Sequence, residues 1–372
     1  MGEGEQRALA RRYHDPRYRA ILADVVLGLG VLAAVALTPL AGVADGLPDV
    51  LGAFALGAAA VVLSAVVRLP LTVWLGLLHE RAFGFSRQSG RDFALDRVKA
   101  VAIGALLTGV ALAGLALAVR VAPSAWPAVA AVGAALLVLL LSFVAPVVLE
   151  PVFNRFGPLE DEGLRDAVLR LGVDAGVPVR EVLVADASRR TTKLNAYVSG
   201  LGATRRVVLF DTLLEQASTP EVLTVVAHEL GHRRHRHVAL GTGLAMAGAA
   251  VLVVALWLLL SADGVLDAIG ASGPGDARVA PFALLVASLL GLAGAPFLAA
   301  VARSWEYASD RFAVAQTGDL AAFESAFLRL SESNLPDPSP PRLAYFWLFS
   351  HPTVPERLEA ARAAARLATV ST

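Results

Sequence analysis

Apolar residues along this chain collect in six long blocks, and one polar segment, 150–237, separates the fourth block from the fifth. Each block reaches the roughly 20 residues that an α-helix needs to cross a bilayer. The pattern predicts a polytopic α-helical membrane protein with about six spans. A cleaved signal peptide fits the first block poorly, because a leader has a shorter apolar core and because five more blocks follow. The blocks cover residues 21–42, 51–78, 98–120, 125–149, 238–261 and 279–302.

The overall composition agrees with this pattern and excludes several kinds of function. Hydrophobic residues make up 56% of the chain and charged residues only 17%, whereas a soluble domain carries roughly 25% charged residues. Basic and acidic residues balance at 32 each, so nothing predicts nucleic-acid binding. Cysteine is absent, which excludes disulfides, thiol catalysis and Cys-ligated metals. Any metal site must therefore use histidines and carboxylates.

Basic residues are distributed unevenly over the connections between the blocks. They cluster before the first block, at 7–19, and again at 81–99, whereas the connection between the first and second blocks has none. Lys and Arg favour the cytoplasmic loops of membrane proteins, so we expect a multi-pass protein of the plasma membrane with a cytoplasmic N-terminus. With six crossings, the segments 150–237 and 303–372 are also expected in the cytoplasm.

The polar segment 150–237 predicts a small α+β unit. Apolar residues recur at helical spacing from Leu164 to Leu171, which predicts one helix. Ser218 or Thr219, followed by Pro220 and Glu221, has the features of a second helix start, namely a cap residue, a proline in the first turn and an early acid. Three short strands are expected between these helices, at 181–186, 193–200 and 205–211, the last two joined by a Gly-containing turn.

The second of these helices carries the sequence HELGH at 228–232. His228 and His232 are four residues apart, so both imidazoles lie on one helix face and can chelate a tetrahedral zinc ion. Glu229 stands beside the first histidine and can act as a general base, which is the chemistry that H-E-x-x-H encodes in metalloproteases. The alternative is a positively charged flank to the next span. That alternative requires neither Glu229 nor the four-residue spacing.

A catalytic zinc site needs a third protein ligand and an open position. The longer metzincin pattern is disfavoured, because Val238 stands where its third histidine would be. A carboxylate from another helix remains, and Glu306 is available at the cytoplasmic end of the sixth block. Asp310, one turn further on, could hold a ligand imidazole through its other nitrogen. Alternatively, the two acids form an exposed pair that stabilises a helix together with neighbouring arginines.

Several further motifs occur together with HELGH, and their order resembles that of a known family. This family is the Ste24-type CAAX prenyl proteases, which are integral-membrane zinc metallopeptidases of family M48, and the resemblance covers about residues 50–365. It implies a mainly α fold in which a polytopic membrane protein carries a small cytoplasmic α+β, zincin-like metalloprotease domain. The motifs are HERAFGFSRQS (79–89), NRFGPLED, LNAYVSG, RRVVLFDTLL, VVAHELGH, EYASDRFA and SHPTVPERL.

The resemblance also implies a division of the chain and a set of site residues. A membrane domain with four spans is expected at 1–149, and a peptidase domain that includes the spans at about 238–261 and 279–302 is expected at 150–372. One Zn²⁺ per chain is implied. Its implied ligands are His228, His232 and Glu306, and the implied catalytic residues are Glu229, Asp310, His351 and Arg357.

Individual roles follow from the same resemblance. His351 is expected to stabilise the oxyanion, and Arg357 is expected to pair with Asp310. Asn195, Ala196 and Tyr197 match an edge strand that pairs with the backbone of the substrate. The chain departs from the family in two respects, since family members often have seven spans and often have alanine at position 309, where this chain has serine.

The sequence therefore predicts a zinc-dependent membrane endopeptidase. By resemblance, it carries out CAAX-type C-terminal processing at the cytoplasmic membrane surface. Its expected partners are the lipid bilayer and a peptide or protein substrate, and lipidated or membrane-anchored substrates are candidates. One alternative is general quality-control proteolysis of membrane proteins, as in HtpX-like relatives. An alternative of another class is a non-enzymatic, metal-binding membrane scaffold, although a structural metal site has no need of Glu229.

Overall fold

The structure is a computed structural model that describes residues 3–200 and 205–370. Up to residue 153 the chain is almost entirely helical, because this part contains long apolar runs with few breaking residues. A 3₁₀ turn (Pro39–Ala44) follows the first helix, and π turns (Trp74–Leu78 and Ala145–Leu149) join later ones. The helices of this part are α1 (Glu3–Leu37), α2 (Asp49–Val67), α3 (Leu69–Val73), α4 (His79–Ala82), α5 (Gly90–Val121), α6 (Trp126–Val144) and α7 (Glu150–Phe153).

The rest of the chain folds into a small sheet and nine further helices within the described residues. The strands are β1 (Phe156–Pro158), β2 (Glu181–Ala185), β3 (Ala196–Ser199) and β4 (Arg206–Phe210). The helices are α8 (Glu162–Asp174), α9 (Asp211–Gln216), α10 (Thr219–Arg234), α11 (His237–Leu260), α12 (Val265–Ala268), α13 (Val279–Thr317), α14 (Leu320–Asn334), α15 (Arg342–Leu348) and α16 (Val354–Val370).

Six helices among the described residues are long and apolar enough to cross a membrane, and they lie where the six blocks predicted them. The predicted fold class is therefore confirmed. The second block, 51–78, is longer than one span needs, and its candidate span α2 ends at Val67. Pro70, which lies in the first turn of α3, explains the difference. Proline disfavours a helical conformation in the residue before it and cannot donate a backbone hydrogen bond.

Two charges inside the apolar blocks neutralise each other. Arg68 caps the C-terminus of α2, and its Nε donates a hydrogen bond of 2.8 Å to Oδ1 of Asp24 on α1. The Arg68 Nη2 also contacts the second carboxylate oxygen of Asp24. This bidentate geometry is the strongest form of an Arg–carboxylate pair. It ties α1 to the end of α2 and compensates two charges that would be costly to place in lipid separately.

The sheet has the strand order β1-β2-β4-β3. The pair β2–β4 is parallel, whereas β1–β2 and β3–β4 are antiparallel. Three of these strands were predicted, and β1 was missed because Gly157 and Pro158 resemble a turn. The predicted Gly-containing turn between β3 and β4 falls on residues 201–204, which lie outside the described residues. β3 is an edge strand, so one side of its backbone is not paired within the sheet.

Helix α10 packs on this sheet through a shared apolar core. Val207 and Leu209 of β4 and Val226 and Leu230 of α10 are almost fully buried in one cluster. A separate cluster lies among the membrane helices, around Leu112. The part of the chain after residue 153 therefore has a hydrophobic core of its own, and α10 is fixed in that core.

The start of α10 lies where the sequence predicted a helix start, and it is defined by a capping box. The backbone N–H of Ser218 donates to Oε2 of Glu221 at 2.6 Å. Ser325 Oγ and Arg329 Nε of α14 donate to the same carboxylate at 2.6 Å and 3.1 Å. Burial alone would raise the pKa of Glu221, but these hydrogen bonds outweigh it and lower the pKa to about 2.

We expect the E221Q variant to be less stable than the native protein at pH 7 by about 1.5–3 kcal/mol, the range for hydrogen bonds to a charged group. Because the folded pKa is depressed, the carboxylate stabilises the fold above the ordinary pKa of 4.5, and this contribution is lost as the pH falls towards about 2. The gap in thermal midpoint between the two proteins, measured in detergent, should therefore narrow from pH 7 to pH 3. The matched control is E162Q, since the Glu162 side chain is 82% exposed. A gap that does not change with pH would contradict this prediction.

Candidate metal centre

Two helices bring the candidate site together by crossing at very short distance. α10 carries the HELGH sequence. Glu306 lies on α13, in the part of this helix that is predicted to be cytoplasmic. At the crossing, a Cβ added to Gly231 would lie 3.1 Å from Cα of Ser309 and 3.2 Å from the ring of Phe312. Such contacts are tighter than most side chains make, so glycine lets the two helices approach here without displacing their neighbours. Ser309 is itself completely buried, which explains why only a small residue fits opposite Gly231.

Three side-chain atoms converge beside this crossing. Nε2 of His228 lies 3.2 Å from Nε2 of His232. The carboxylate oxygens of Glu306 lie 3.3 Å from Nε2 of His228 and 3.2 Å from Nε2 of His232. All three ligand atoms lie within 4.8 Å of one another. The structure therefore brings together the three residues that the sequence suggested as metal ligands.

The donor set fits a divalent cation. Oε2 of Glu306 is buried and accepts no hydrogen bond of acceptable geometry within the described residues. Its nearest neighbours, Nη2 of Arg357 at 3.2 Å and Nε2 of His228 at 3.3 Å, are not in hydrogen-bond geometry. A buried carboxylate oxygen without a hydrogen bond is costly, and a cation placed between it and the two imidazoles would reduce that cost. Two imidazole nitrogens and one carboxylate, without thiolates, form a ligand set that catalytic zinc sites use. His228, His232 and Glu306 could thus hold one metal ion.

Asp310 and Arg357 form a buried ion pair that contacts His228 through the ring nitrogen Nδ1. Nδ1 of His228 lies 2.9 Å from Oδ1 of Asp310, and Asp310 accepts a hydrogen bond of 2.8 Å from Nε of Arg357. Burial alone would lower the pKa of His228, but the carboxylates of Asp310 and Glu306 outweigh it and raise that pKa to about 9. A cation that binds here must therefore displace a proton from His228.

Glu229 follows the first histidine on α10 and is only half-buried. None of the described residues hydrogen-bonds to its carboxylate, so both oxygens remain available to a water or a substrate. Burial raises the pKa of the Glu229 carboxyl above its usual range. A carboxylate with these properties, adjacent to a metal ligand, can exchange a proton with a reacting group.

His351 lies at the rim of the same cluster. Its Nε2 is 3.4 Å from Oε1 of Glu306, and its side chain is 62% exposed. Ser350 Oγ lies 2.9 Å from Nδ1 of His351 and helps to orient the ring. The segment between α15 and α16 therefore places an exposed imidazole at the mouth of the cluster, although no sequence periodicity connects this segment with HELGH.

The predicted substrate strand packs beside α10. Asn195 directly precedes β3, and its carbonyl accepts a hydrogen bond from the N–H of Phe210. Ala196 and Tyr197 are the first two residues of β3 and pair with β4. None of the three predicted strand residues hydrogen-bonds to the three ligand side chains.

Side chains that the sequence did not identify fix the segment before β3. The amide of Asn334 accepts from the N–H of Leu194 at 2.9 Å and donates to its carbonyl at 3.0 Å. Lys193 Nζ pairs with Glu80 at 2.7 Å, and Tyr13 of α1 contacts the same carboxylate. These contacts join segments far apart in the chain, so no local pattern could have predicted them.

Comparison with known families gives two matches that together cover most of the chain. The model described as peptidase family M48 matches residues 158–365. The model described as the CAAX prenyl protease N-terminal segment, with five membrane helices, matches residues 19–155. The first match contains the three candidate ligand residues, and the second contains the first four of the six candidate spans, apart from the N-terminal turns of α1.

Individual proteins give the same result. The uncharacterized metalloprotease YhfN of Bacillus subtilis is 29% identical over 311 residues, which are 80% of this chain and 70% of that protein. The CAAX prenyl protease 1 homolog of Oryza sativa subsp. japonica is 27% identical over 335 residues, which are 84% of this chain and 73% of that protein. The crystal structure of S. mikatae Ste24p superposes with a TM-score of 0.86 at 23% identity and covers 97% of this chain and 90% of that one. The last match shows that the fold is shared.

Proposed function

Because this chain belongs to peptidase family M48 and is a multi-pass membrane metalloprotease, we propose that it is a zinc-dependent endopeptidase acting at the cytoplasmic surface of the plasma membrane. One observation carries the proposal: the ligand atoms of His228, His232 and Glu306 lie within 4.8 Å of one another, with the free carboxylate of Glu229 beside them. A site that served only to hold a metal would have no use for that carboxylate. The non-enzymatic scaffold is therefore disfavoured.

The residues around the site have distinct tasks in this proposal. Zinc, when bound, supplies Lewis-acid chemistry that lowers the pKa of a water and polarises the scissile carbonyl. Glu229 accepts the proton of the attacking water on a carboxylate oxygen and delivers it to the leaving nitrogen. The exposed imidazole of His351 donates a hydrogen bond to the oxygen on which negative charge develops. Asp310, held by Arg357, keeps the ring of His228 in place.

We propose that the substrate backbone binds along edge strand β3. Its outer side is unpaired in the sheet, so an extended peptide can add to it through main-chain hydrogen bonds. Asn195, Ala196 and Tyr197 are the residues that we propose for this contact. The hydrogen bonds from Asn334 to the preceding residue hold the start of the strand in position.

The proposed cytoplasmic location rests on contacts that join the N-terminal helix to the peptidase segment. Glu80 binds Arg17 of α1 and Lys193, which precedes β3, both at 2.7 Å. The arginine-rich N-terminal end of α1 and the sheet therefore lie on the same side of the membrane. Since arginine-rich segments favour the cytoplasm, the site is proposed to face it too.

We also propose a division into a membrane domain (1–149) and a peptidase domain (150–372) that includes α11 and α13.

The substrate class is proposed from the relatives. Curated relatives named CAAX prenyl proteases suggest C-terminal processing of lipidated CAAX-type substrates. A site at the membrane surface suits a substrate that is anchored there. General quality-control cleavage of membrane proteins uses the same chemistry, and the difference between the two tasks is whether the lipid improves cleavage.

One experiment tests both the chemistry and the substrate class. The purified full chain is incubated with a farnesylated CAAX peptide and with the same peptide without the lipid, each with and without a zinc chelator. We expect cleavage that the chelator abolishes, that added zinc restores, and that is faster for the lipidated peptide. Equal cleavage of both peptides would favour the quality-control task. No chelator-sensitive cleavage by zinc-loaded protein would overturn the proposed function.

A further inference from the structure

The helix is interrupted between α10 and α11, immediately after the HELGH sequence. In one continuous helix, His232 and His237 would point about 140° apart, since each residue turns by about 100°. The structure instead ends α10 at Arg234 and begins α11 at His237, with Arg236 at a φ of 57°. A non-glycine residue rarely adopts this left-handed conformation, and it costs on the order of 1 kcal/mol or more. Contacts that the interruption makes possible must therefore offset this conformational cost.

The consequence of the break is a contact between two histidine rings. Nδ1 of His237 lies 3.1 Å from Nδ1 of His232, and His237 is 6% exposed. On one face, the ring of His237 stacks on Trp305 of α13, with centroids 4.9 Å apart and planes at 7°. It also stacks on His235, with centroids 5.5 Å apart. Packing therefore fixes the orientation of His237 independently of its hydrogen bond.

Together with the proposed metal site, this contact assigns the proton of His232 to one ring nitrogen. Nε2 of His232 faces Glu306 and His228, so it must present a lone pair if it binds a metal. The proton of the neutral ring then lies on Nδ1 and requires an acceptor. Among the described residues, Nδ1 of His237 is the only partner at hydrogen-bond distance from this atom. His237 must accept this bond, with its own proton on Nε2.

We propose that His237 is a positioning residue that holds the second metal ligand in the correct tautomer and orientation. The inference rests on the proposed metal site. It implies that the two metal-ligating histidines have outer partners of different charge. The carboxylate of Asp310 backs His228, whereas a neutral imidazole backs His232. Outer partners of metal-ligating histidines typically contribute a factor of about 10–100 in metal affinity. His237 contributes in this way without adding a second buried negative charge.

Two substitutions separate this role from simple packing. H237F keeps a ring on Trp305 but has no acceptor, whereas H237N loses the ring but places an amide oxygen near the position of Nδ1. We expect H237F to bind zinc about 10–100-fold more weakly than the native protein and H237N to recover most of that loss. A residue that served only in packing would give the opposite order, with H237F near the native affinity and H237N weaker. That order would overturn the proposal.

Zinc affinity of the full chain in detergent is measured by competition with a chromophoric chelator, so the readout does not depend on peptidase activity. The absorption spectrum of the cobalt-substituted protein gives a second readout, because it reports the geometry of the ligand set. We expect the spectrum to change in H237F and to return towards the native one in H237N. If H237F does not fold, H237M carries the same expectation. Failure of the native protein to bind zinc would contradict the proposed function, whereas equal affinity of native and H237F protein would contradict only the role of His237.

Discussion

The E229Q variant should retain its zinc and lose peptidase activity, with kcat reduced by about 10²–10⁴-fold, the usual contribution of a general acid–base group. The amide has nearly the same shape as the carboxylate but cannot take a proton from water. Because none of the described residues hydrogen-bonds to Glu229, the substitution leaves no partner unsatisfied and should not disturb the fold. The measurement is kcat on a cleavable peptide together with zinc content by elemental analysis.

The matched control for this variant is E162Q, which makes the same chemical change at the exposed start of α8. Its activity and zinc content should equal those of the native protein. If E229Q kept full activity with its zinc bound, the carboxylate would not be the base and the proposed chemistry would be wrong. If E229Q lost both zinc and activity, Glu229 would have a structural role at the metal centre instead.

The E306A variant should lose both metal and activity. Structural zinc sites with four ligands bind with about 10–16 kcal/mol, so one ligand contributes on the order of 3 kcal/mol, or about a hundredfold in affinity. Removing Glu306 also leaves Arg357 and two imidazoles without the carboxylate that lies 3.2–3.3 Å from them, which disfavours a cation further. Zinc affinity by chelator competition and peptidase activity at saturating zinc are the two measurements.

A second alanine variant provides the comparison for E306A. Glu332 on α14 is exposed, and E332A should bind zinc and cleave peptide as the native protein does. Unchanged zinc affinity in E306A would remove Glu306 from the ligand set. The convergence of the three side chains would then have to be explained as a buried hydrogen-bonded cluster, and the proposed hydrolase would lose its central observation.

The features that could be predicted from the sequence are those that depend on local spacing. The length of the apolar blocks predicted the six candidate spans, and a cap residue, proline and Glu221 predicted the start of α10. The two histidines of HELGH are four residues apart, so their common helix face also followed from the sequence. The membrane fold and the metalloprotease family were anticipated correctly, because several short motifs occur in a fixed order.

Other features depend on contacts between distant segments or on backbone geometry, and the sequence could not define them. The end of α2 at Val67 was not predicted, because the apolar block continues beyond Arg68 and Pro70 to residue 78. The contact between His237 and His232 could not be foreseen, because it requires Arg236 in a conformation that arginine seldom adopts. The attachment of Asn334 to the segment before β3 spans 140 residues of chain and has no local signal.

The crossing of α10 and α13 at Gly231 has a consequence for how the metal centre tolerates change. Both histidines belong to one helix and Glu306 to the other, so any increase in the spacing of the two axes lengthens the distance between the donors. An added methyl group at Gly231 would lie 3.1 Å from Cα of Ser309 and 3.2 Å from the ring of Phe312, so these neighbours on α13 would have to give way. The distances between the three candidate ligands thus depend on Gly231, which is not itself one of them. A substitution at that position would act as a spacer, weakening the enzyme while every chemically active group remained in the chain.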